Sequence, residues 1–475
     1  MQDENVLREV AKDCVHCGFC LPACPTYQLW AEEMDTPRGR IYQVNQILDG
    51  APLSAAAAEH FDRCLGCMAC MTACPSGVQY DQLIEAARVW TEEARPARPA
   101  PADGDRAARD RTIRDRTIRD RTIRDRTIRD RAARAAIFAL FPYPRRLRAM
   151  TRPLRAAQRT GLDRRLARSS LPGRLSPVLG AALRLGASGA GRLAPPPSAA
   201  GRRGASGAGR LPDRVAARGP RRAVVGMLTG CVQSVFFPQV NAATARVLAL
   251  EGCDVIIPRG QGCCGALSMH AGREAEAEAF ARRTIETFER AGVDTIVVNS
   301  AGCGSAMKDY ERLLSGDPDW AGRAAALSGR VRDLAEFLAE LGPAAPRHPL
   351  PVTAAYHDAC HLGHAQRITR QPRDLLRAIP DLRLVELPDA GTCCGSAGVY
   401  NLLQPEAASE LGVRKAQAVL AAGAPLLISA NPGCSLQIAA ALADRGERIA
   451  VAHIAEILDA SLRGLPAPAA PAQPG

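Results

Sequence analysis

The sequence predicts a multidomain chain: an N-terminal α-helical region built on two cysteine runs, then a duplicated α/β region of βαβ units with parallel sheets. Two observations carry this. The runs CVHCGFCLPACP, from Cys14 to Pro25, and CLGCMACMTACP, from Cys64 to Pro75, share the spacing C-x2-C-x2-C-x3-C followed by proline. Further on, Cys231, the pair Cys263-Cys264, and Cys303 recur as Cys360, Cys393-Cys394 and Cys434, at offsets of 129, 130 and 131 residues. Three landmarks held at so nearly one offset mark a duplicated domain.

Residues 1–95 contain both runs. Thiolates are soft donors for iron–sulfur clusters or zinc, so cysteines alone do not name the metal. The spacing does more, because zinc ribbons separate two C-x2-C knuckles by a dozen or more residues. Four thiols within eleven positions match a bacterial-type [4Fe–4S] run, in which the fourth cysteine serves the other cluster. That groups Cys14, Cys17, Cys20 and Cys74 on one cluster, and Cys64, Cys67, Cys70 and Cys24 on the other, making a ferredoxin-like two-cluster domain; structural zinc or a disulfide framework is the alternative. Pro25 and Pro75 are expected to turn the chain away from each cluster. IYQVNQILDG and YDQLIEAARVWTEEA carry apolar residues at three- and four-residue spacing, the mark of helices. Thr36-Pro37 opens the first of these, and Arg38 and Arg40 face either a cluster or solvent.

Residues 96–220 form a connector of different character. Residues 95–222 hold 33 arginines and no lysine against nine acidic residues, a net +24 that leaves the rest of the +12 chain at −12. Such a stretch could touch anionic lipid, nucleic acid or an acidic partner, or be a solvated linker. RTIRD occurs four times from Arg111 to Asp130. A five-residue period scatters its isoleucines round a helix, so it makes no apolar stripe. IFALFPYPRRLRAM, at 137–150, is the connector's best candidate for docking on a partner or membrane. GASGAGRL, at 186–193 and 204–211, should be flexible.

Residues 221–345 and 346–465 are the two repeats, and 466–475 a flexible tail. AVVGMLTG runs into Cys231, TIVVNSAG into Cys303, TAAYHDA into Cys360 and PLLISANPG into Cys434, while DVIIP and LRLVELP precede the cysteine pairs. Short apolar runs alternating with helical ones indicate βαβ units. The eight cysteines then sit past the carboxyl ends of strands, where open α/β sheets place ligands. Four thiols per repeat could hold a metal, with Gly265 and Gly395 giving close backbone approach. His357, His361 and His364, around Cys360, are candidates for a proton relay or a quinone contact. Cys253 needs only burial as a small apolar side chain. The N-terminus shows no cleavable signal and no run of eighteen apolar residues exists, so a reducing cytoplasmic setting without a spanning helix is expected.

With these motifs the chain resembles the glycolate oxidase iron–sulfur subunit family. CVHCGFC, CPTYQL, TPRGRIYQVNQIL, DRCLGC, CPSGV, NAATARVL, GCCGALSMH and GTCCGSAGVYN all look like that family's segments, and the repeats look like its two cysteine-rich CCG domains. The connector goes unmatched in detail. The resemblance implies an electron-transfer subunit with two [4Fe–4S] clusters, not catalytic alone. Its partners would be flavin-containing glycolate oxidase subunits and a quinone or other acceptor, with peripheral contact at the inner face of the membrane and no nucleic acid. No Gly-rich dinucleotide fingerprint opens a βαβ unit, so no flavin or NAD is expected in this chain. Related subunits serve lactate, glycerol 3-phosphate or heterodisulfide chemistry; a non-catalytic assembly protein with structural clusters is the alternative of a different class. One departure stands out. Fully equipped CCG domains end in a C-x2-C pair, but Ser300 and Asn431 stand three residues before the single Cys303 and Cys434. Each repeat keeps four thiols, either for a further cluster or as reduced thiols.

Overall fold

The computed structural model describes residues 4–95, 131–160, 162–169, 177–187 and 211–469. The RTIRD repeats, nearly all of the GASGAGRL segments and most of the expected tail lie outside these.

The N-terminal region is helical, with helices at Glu4–Lys12, Pro25–Trp30, Pro37–Leu48, Ala55–Arg63, Ala69–Ala73 and Tyr80–Glu93. Thr36 caps the third, its hydroxyl accepting from the Gly39 N–H at 2.9 Å, and Pro37 takes the first turn, where a missing N–H costs nothing. Leu7, Ile41, Val44, Phe61, Leu83 and Ile84 recur at helical spacing and meet in one buried core. Pro25 does not simply deflect the chain: its fixed φ starts the helix Pro25–Trp30 directly after Cys24.

The two repeats each form a parallel sheet. Strands β1 (Arg214–Val215), β2 (Ala223–Met227), β3 (Cys253–Ile256), β4 (Thr295–Val298) and β5 (Val331–Asp333) lie in the order β1-β3-β2-β4-β5. Strands β6 (Val352–His357), β7 (Leu382–Glu386), β8 (Leu426–Ser429) and β9 (Ala450–His453) lie in the order β7-β6-β8-β9, the same topology without β1. The short β1 pairs antiparallel with β3, so a piece of the stretch assigned to the connector joins the first sheet.

The repeats face each other about a pseudo-two-fold axis. Helix Pro238–Leu250 packs on Ile454–Arg463, and its counterpart Arg370–Arg377 packs on Leu334–Leu341. Arg246 grips Asp459 with two nitrogens, at 2.9 and 2.6 Å, across the first contact. One apolar core runs through both sheets.

The connector is not a bare linker where it is described. It forms a helix over 131–140, then Pro144–Thr160, Leu162–Arg168 and Pro177–Ala187. Ile137 and Phe138 bury themselves against Ala181, Val399 and Leu402, so the segment expected to dock on a partner docks on this chain's own second repeat.

Candidate metal centres

The first thiol set lies at the surface. Cys14, Cys17, Cys20 and Cys74 line one small pocket with Arg38, Ile41 and Tyr80. Cys17 is exposed, and Val15 and Phe19 beside it are 69% and 67% exposed. Arg38 braces this loop by donating to the His16 carbonyl at 3.1 Å while paired with Glu33 at 2.6 Å. Burial pushes the Cys14 thiol up, and Cys20 up to about 11.

The second set is sealed. Cys24, Cys64, Cys67 and Cys70 are all buried, and Cys70 has Cys67, Cys64 and Cys24 as electrostatic neighbours. Arg40, 1% exposed, stands beside Cys64 and Cys24. It donates to the His60 carbonyl at 2.7 Å and pairs with the fully buried Asp35 at 3.1 Å. Arg88 donates to the Cys64 carbonyl at 2.6 Å. Burial alone would raise the Cys64 thiol, but these two guanidinium groups win and hold it below its ordinary value. Four thiols per site, backbone donors such as Gly66 N–H to Cys64 Sγ at 3.4 Å, and buried cations that offset thiolate charge fit iron–sulfur clusters.

The other eight thiols converge from strand ends, as the repeat pattern predicted. Cys231 and Cys263 approach to 3.7 Å, and Cys264 hydrogen-bonds Cys303. In the second repeat Cys360 meets Cys393, and Cys394 meets Cys434. Gly265 and Gly395 both take left-handed φ, +90° and +86°. An added Cβ would stand 3.0 Å from the Ala277 carbonyl and 2.7 Å from the Ala408 carbonyl, so the close approach they allow is to the next helix rather than to a cluster. The hydrogen bond with Cys264 pushes Cys303 up, and that with Cys393 pushes Cys360 up; burial adds to both. Ser300 and Asn431, where a fifth thiol is missing, meet each other at 3.3 Å across the pseudo-two-fold axis.

Between the repeats lies a cavity of about 540 Å³. Thiols from both repeats line it, and Phe141, Leu154 and Leu185 of the connector helices roof it.

The three candidate histidines are not one relay. His361 Nε2 lies 3.0 Å from the Gly66 carbonyl, and His364 spans Thr72 Oγ1 and the Gly391 carbonyl, both at 2.9 Å, so these two tie the second repeat to the second cysteine run. A π-helical turn at His361–Ala365 aims them there, where the first repeat has an ordinary helix, Val232–Phe236. His357 is buried behind Cys394 and Cys434 and does not line the cavity. His270, which sequence reasoning missed, does line it, edge-on to His361 with ring centres 4.7 Å apart. Its only sequence signal was its place at the end of GCCGALSMH. Burial holds His270, His357 and His361 below the ordinary imidazole value.

Cys67 makes the junction. With Leu65 and Ala69 it packs against Cys393, Tyr400 and Cys360 in one apolar cluster, and the Tyr400 hydroxyl donates to the Arg63 carbonyl at 3.1 Å. A helical domain with two ferredoxin-type runs, joined thiol to thiol to a duplicated cysteine-rich α/β domain, defines an iron–sulfur electron-transfer protein.

Comparison with known proteins agrees. A 4Fe-4S dicluster domain matches residues 10–78, and a cysteine-rich domain, CCG, matches 225–308 and 354–439. The linker region of the glycolate oxidase iron-sulfur subunit matches 129–185, the connector that the motifs had left unmatched. A probable glycolate oxidase iron-sulfur subunit of Bacillus subtilis is 33% identical over 94% of this chain and 93% of its own length. The glycolate oxidase iron-sulfur subunit of Escherichia coli is 32% identical over 97% and 96%. Lactate utilization protein A of an Exiguobacterium species is 32% identical over 50% of this chain and 98% of its own. The chain belongs to the glycolate oxidase iron–sulfur subunit family.

Proposed function

We propose that this chain is the electron-transfer subunit of a complex that oxidises glycolate to glyoxylate. It would receive electrons from a flavin in a sister subunit and pass them to a membrane quinone at the inner face of the cell membrane. The observation that carries this reading is the unbroken series of thiol groups from the exposed Cys17, through the sealed second set and the Cys67–Cys360 contact, to the cavity between the repeats.

[4Fe–4S] clusters, when bound, supply one-electron steps. The chain's own residues do the rest. Cys14, Cys17, Cys20 and Cys74 hold one cluster at the surface, where the apolar Val15 and Phe19 offer a docking patch to the flavin subunit. Cys24, Cys64, Cys67 and Cys70 hold the other away from water, with Arg40 and Arg88 balancing its charge. The roof of the cavity turns Arg145, Arg146, Arg148 and Arg152 outward, a basic face suited to anionic lipid headgroups. No helix among the described residues is long and apolar enough to cross a membrane.

In the assembled complex, Cys17→Ser should abolish quinone reduction while glycolate still bleaches the flavin. Bleaching lost in a correctly assembled complex, or quinone reduction retained, would refute the reading. A second reading, lactate as substrate, is favoured by the Exiguobacterium relative. Turnover with lactate in place of glycolate would select it.

A further inference from the structure

We infer that the second cysteine-rich repeat holds a metal through mixed thiolate and imidazole ligands, with His357 joining Cys394 and Cys434, and that the first repeat has no such site. The inference stands apart from the glycolate reading.

The geometry is local and specific. A ring nitrogen of His357 and the sulfurs of Cys394 and Cys434 all lie within 4.8 Å of one another, and all three residues are buried. His357 is 1% exposed, and neither of its ring nitrogens has a hydrogen-bond partner. Buried polar nitrogens are almost always satisfied, so an imidazole orphaned on both sides beside two thiols points to a ligand on one of them. His357 ends β6, three residues before Cys360, and pairs in register with Ser429 at the end of β8, five residues before Cys434. Strand pairing therefore fixes the imidazole at the sheet edge where the thiols gather.

Asn431 does not take the role. Its amide N–H, a donor with no lone pair to offer a metal, donates to Cys434 Sγ at 3.4 Å, and its Oδ1 accepts from the Ser300 hydroxyl at 3.3 Å. The imidazole thus supplies from the strand a donor that the loop lacks.

The duplication provides an internal control. At the 129-residue offset of this part of the chain, His357 corresponds to Leu228, which packs in an apolar cluster with Cys264 and offers no donor. The helix that follows diverges too. Gly265 and Gly395 contact Ala277 and Ala408, which sets the helices at an offset of 131 and places Lys415 opposite Thr284. Lys415 is fully buried near His357 and pairs with Asp389 at 2.9 Å, a buried cation where the first repeat has a threonine.

Thiolate with imidazole suits iron, alone or in a cluster, and zinc. The two are separable by experiment. Full-length chain in its complex is prepared anaerobically as wild type, His357→Leu and His357→Cys, and iron and zinc per chain are measured. The reduced protein is examined for ¹⁴N coupling by pulsed EPR, and zinc by X-ray absorption. Iron beyond the roughly eight of two [4Fe–4S] clusters, with a ¹⁴N coupling, supports an iron site; zinc with a nitrogen neighbour supports a zinc site. His357→Leu should lose that metal and that nitrogen signal, with the N-terminal cluster signals unchanged as the folding control. His357→Cys should keep the metal and lose the nitrogen. Wild-type protein with no metal beyond the two clusters, or His357→Leu with full metal content, overturns the inference. Should the leucine variant fail to fold, retention of the nitrogen signal in His357→Cys does the same.

Discussion

The two cysteine-rich repeats share topology, thiol spacing and the tight glycine turn after each cysteine pair, yet they face different neighbours. The second repeat turns its thiols to the N-terminal region: Cys360 and Cys393 pack against Cys67, and His361 and His364 brace the run around it. The first repeat touches that region away from its thiols, through Arg312 with Glu85 and Arg273 with Glu92. Duplication supplied two equivalent thiol sites, and docking set one of them against the N-terminal cysteine run. Residues beside the thiols diverged accordingly, Leu228 against His357 and Thr284 against Lys415.

The largest expected effect lies at the junction itself. Arg40 is sealed with Asp35 beneath Cys64 and Tyr400, so Arg40→Leu takes one of three partners from the buried carboxylate, which keeps Arg63 and His60 at 3.0 Å each, leaves the His60 carbonyl without its donor, and should cost about 3 kcal/mol in denaturant unfolding. Arg38→Leu removes a partly exposed pair with Glu33 and should cost about 1 kcal/mol or less. Equal losses would mean that the sealed site is not the structural centre of the contact.

Next comes the asymmetry between repeats. Cys360→Ser should slow quinone reduction roughly a hundredfold, about 2.7 kcal/mol, and Cys231→Ser by roughly tenfold or less. Both variants should leave flavin bleaching by glycolate intact. The reverse order in stopped-flow traces would move the entry to the first repeat.

A smaller effect distinguishes the repeats by pH. Asp333 and His453, the last residues of β5 and β9, cap the helices that follow, each with a glutamate three residues on. Burial raises Asp333 to about 7, so its stabilising contribution is full below the ordinary carboxyl range and is lost as pH rises through about 7. Burial lowers His453 to about 4, so its contribution is full above the ordinary imidazole value and is lost as pH falls through about 4. Unfolding midpoints measured from pH 4 to 8 should lose their alkaline-side decline in Asp333→Asn and their acid-side decline in His453→Asn. Parallel curves for both variants would contradict the burial argument.

Much of this was legible in the sequence because thiol chemistry imposes spacing. The two N-terminal runs and the constant offsets gave the fold class, and short apolar runs gave the strands. Strand β1 was hidden because two residues, Arg214 and Val215, carry no periodicity. The connector helix Pro144–Thr160 was hidden for a different reason. Its inward positions are Leu147, Thr151, Leu154 and Gln158, a thin stripe among arginines that makes sense only once the repeats lie beneath it. Arg40 could be read equally as surface or site, because burial depends on Asp35 and the helix Ala55–Arg63 folding over it. Sequence proximity places His357 with His361 and His364 around Cys360, whereas strand register brings it to Cys394 and Cys434, a contact no linear pattern displays.

The most direct measurement is a single turnover of the assembled complex under anaerobic conditions, wild type against Cys67→Ser, with flavin absorbance and acceptor reduction followed together after mixing with glycolate. If the sealed thiol set is the passage to the second repeat, the variant bleaches its flavin at the wild-type rate and leaves the acceptor oxidised. Acceptor reduction at an undiminished rate in Cys67→Ser would contradict it.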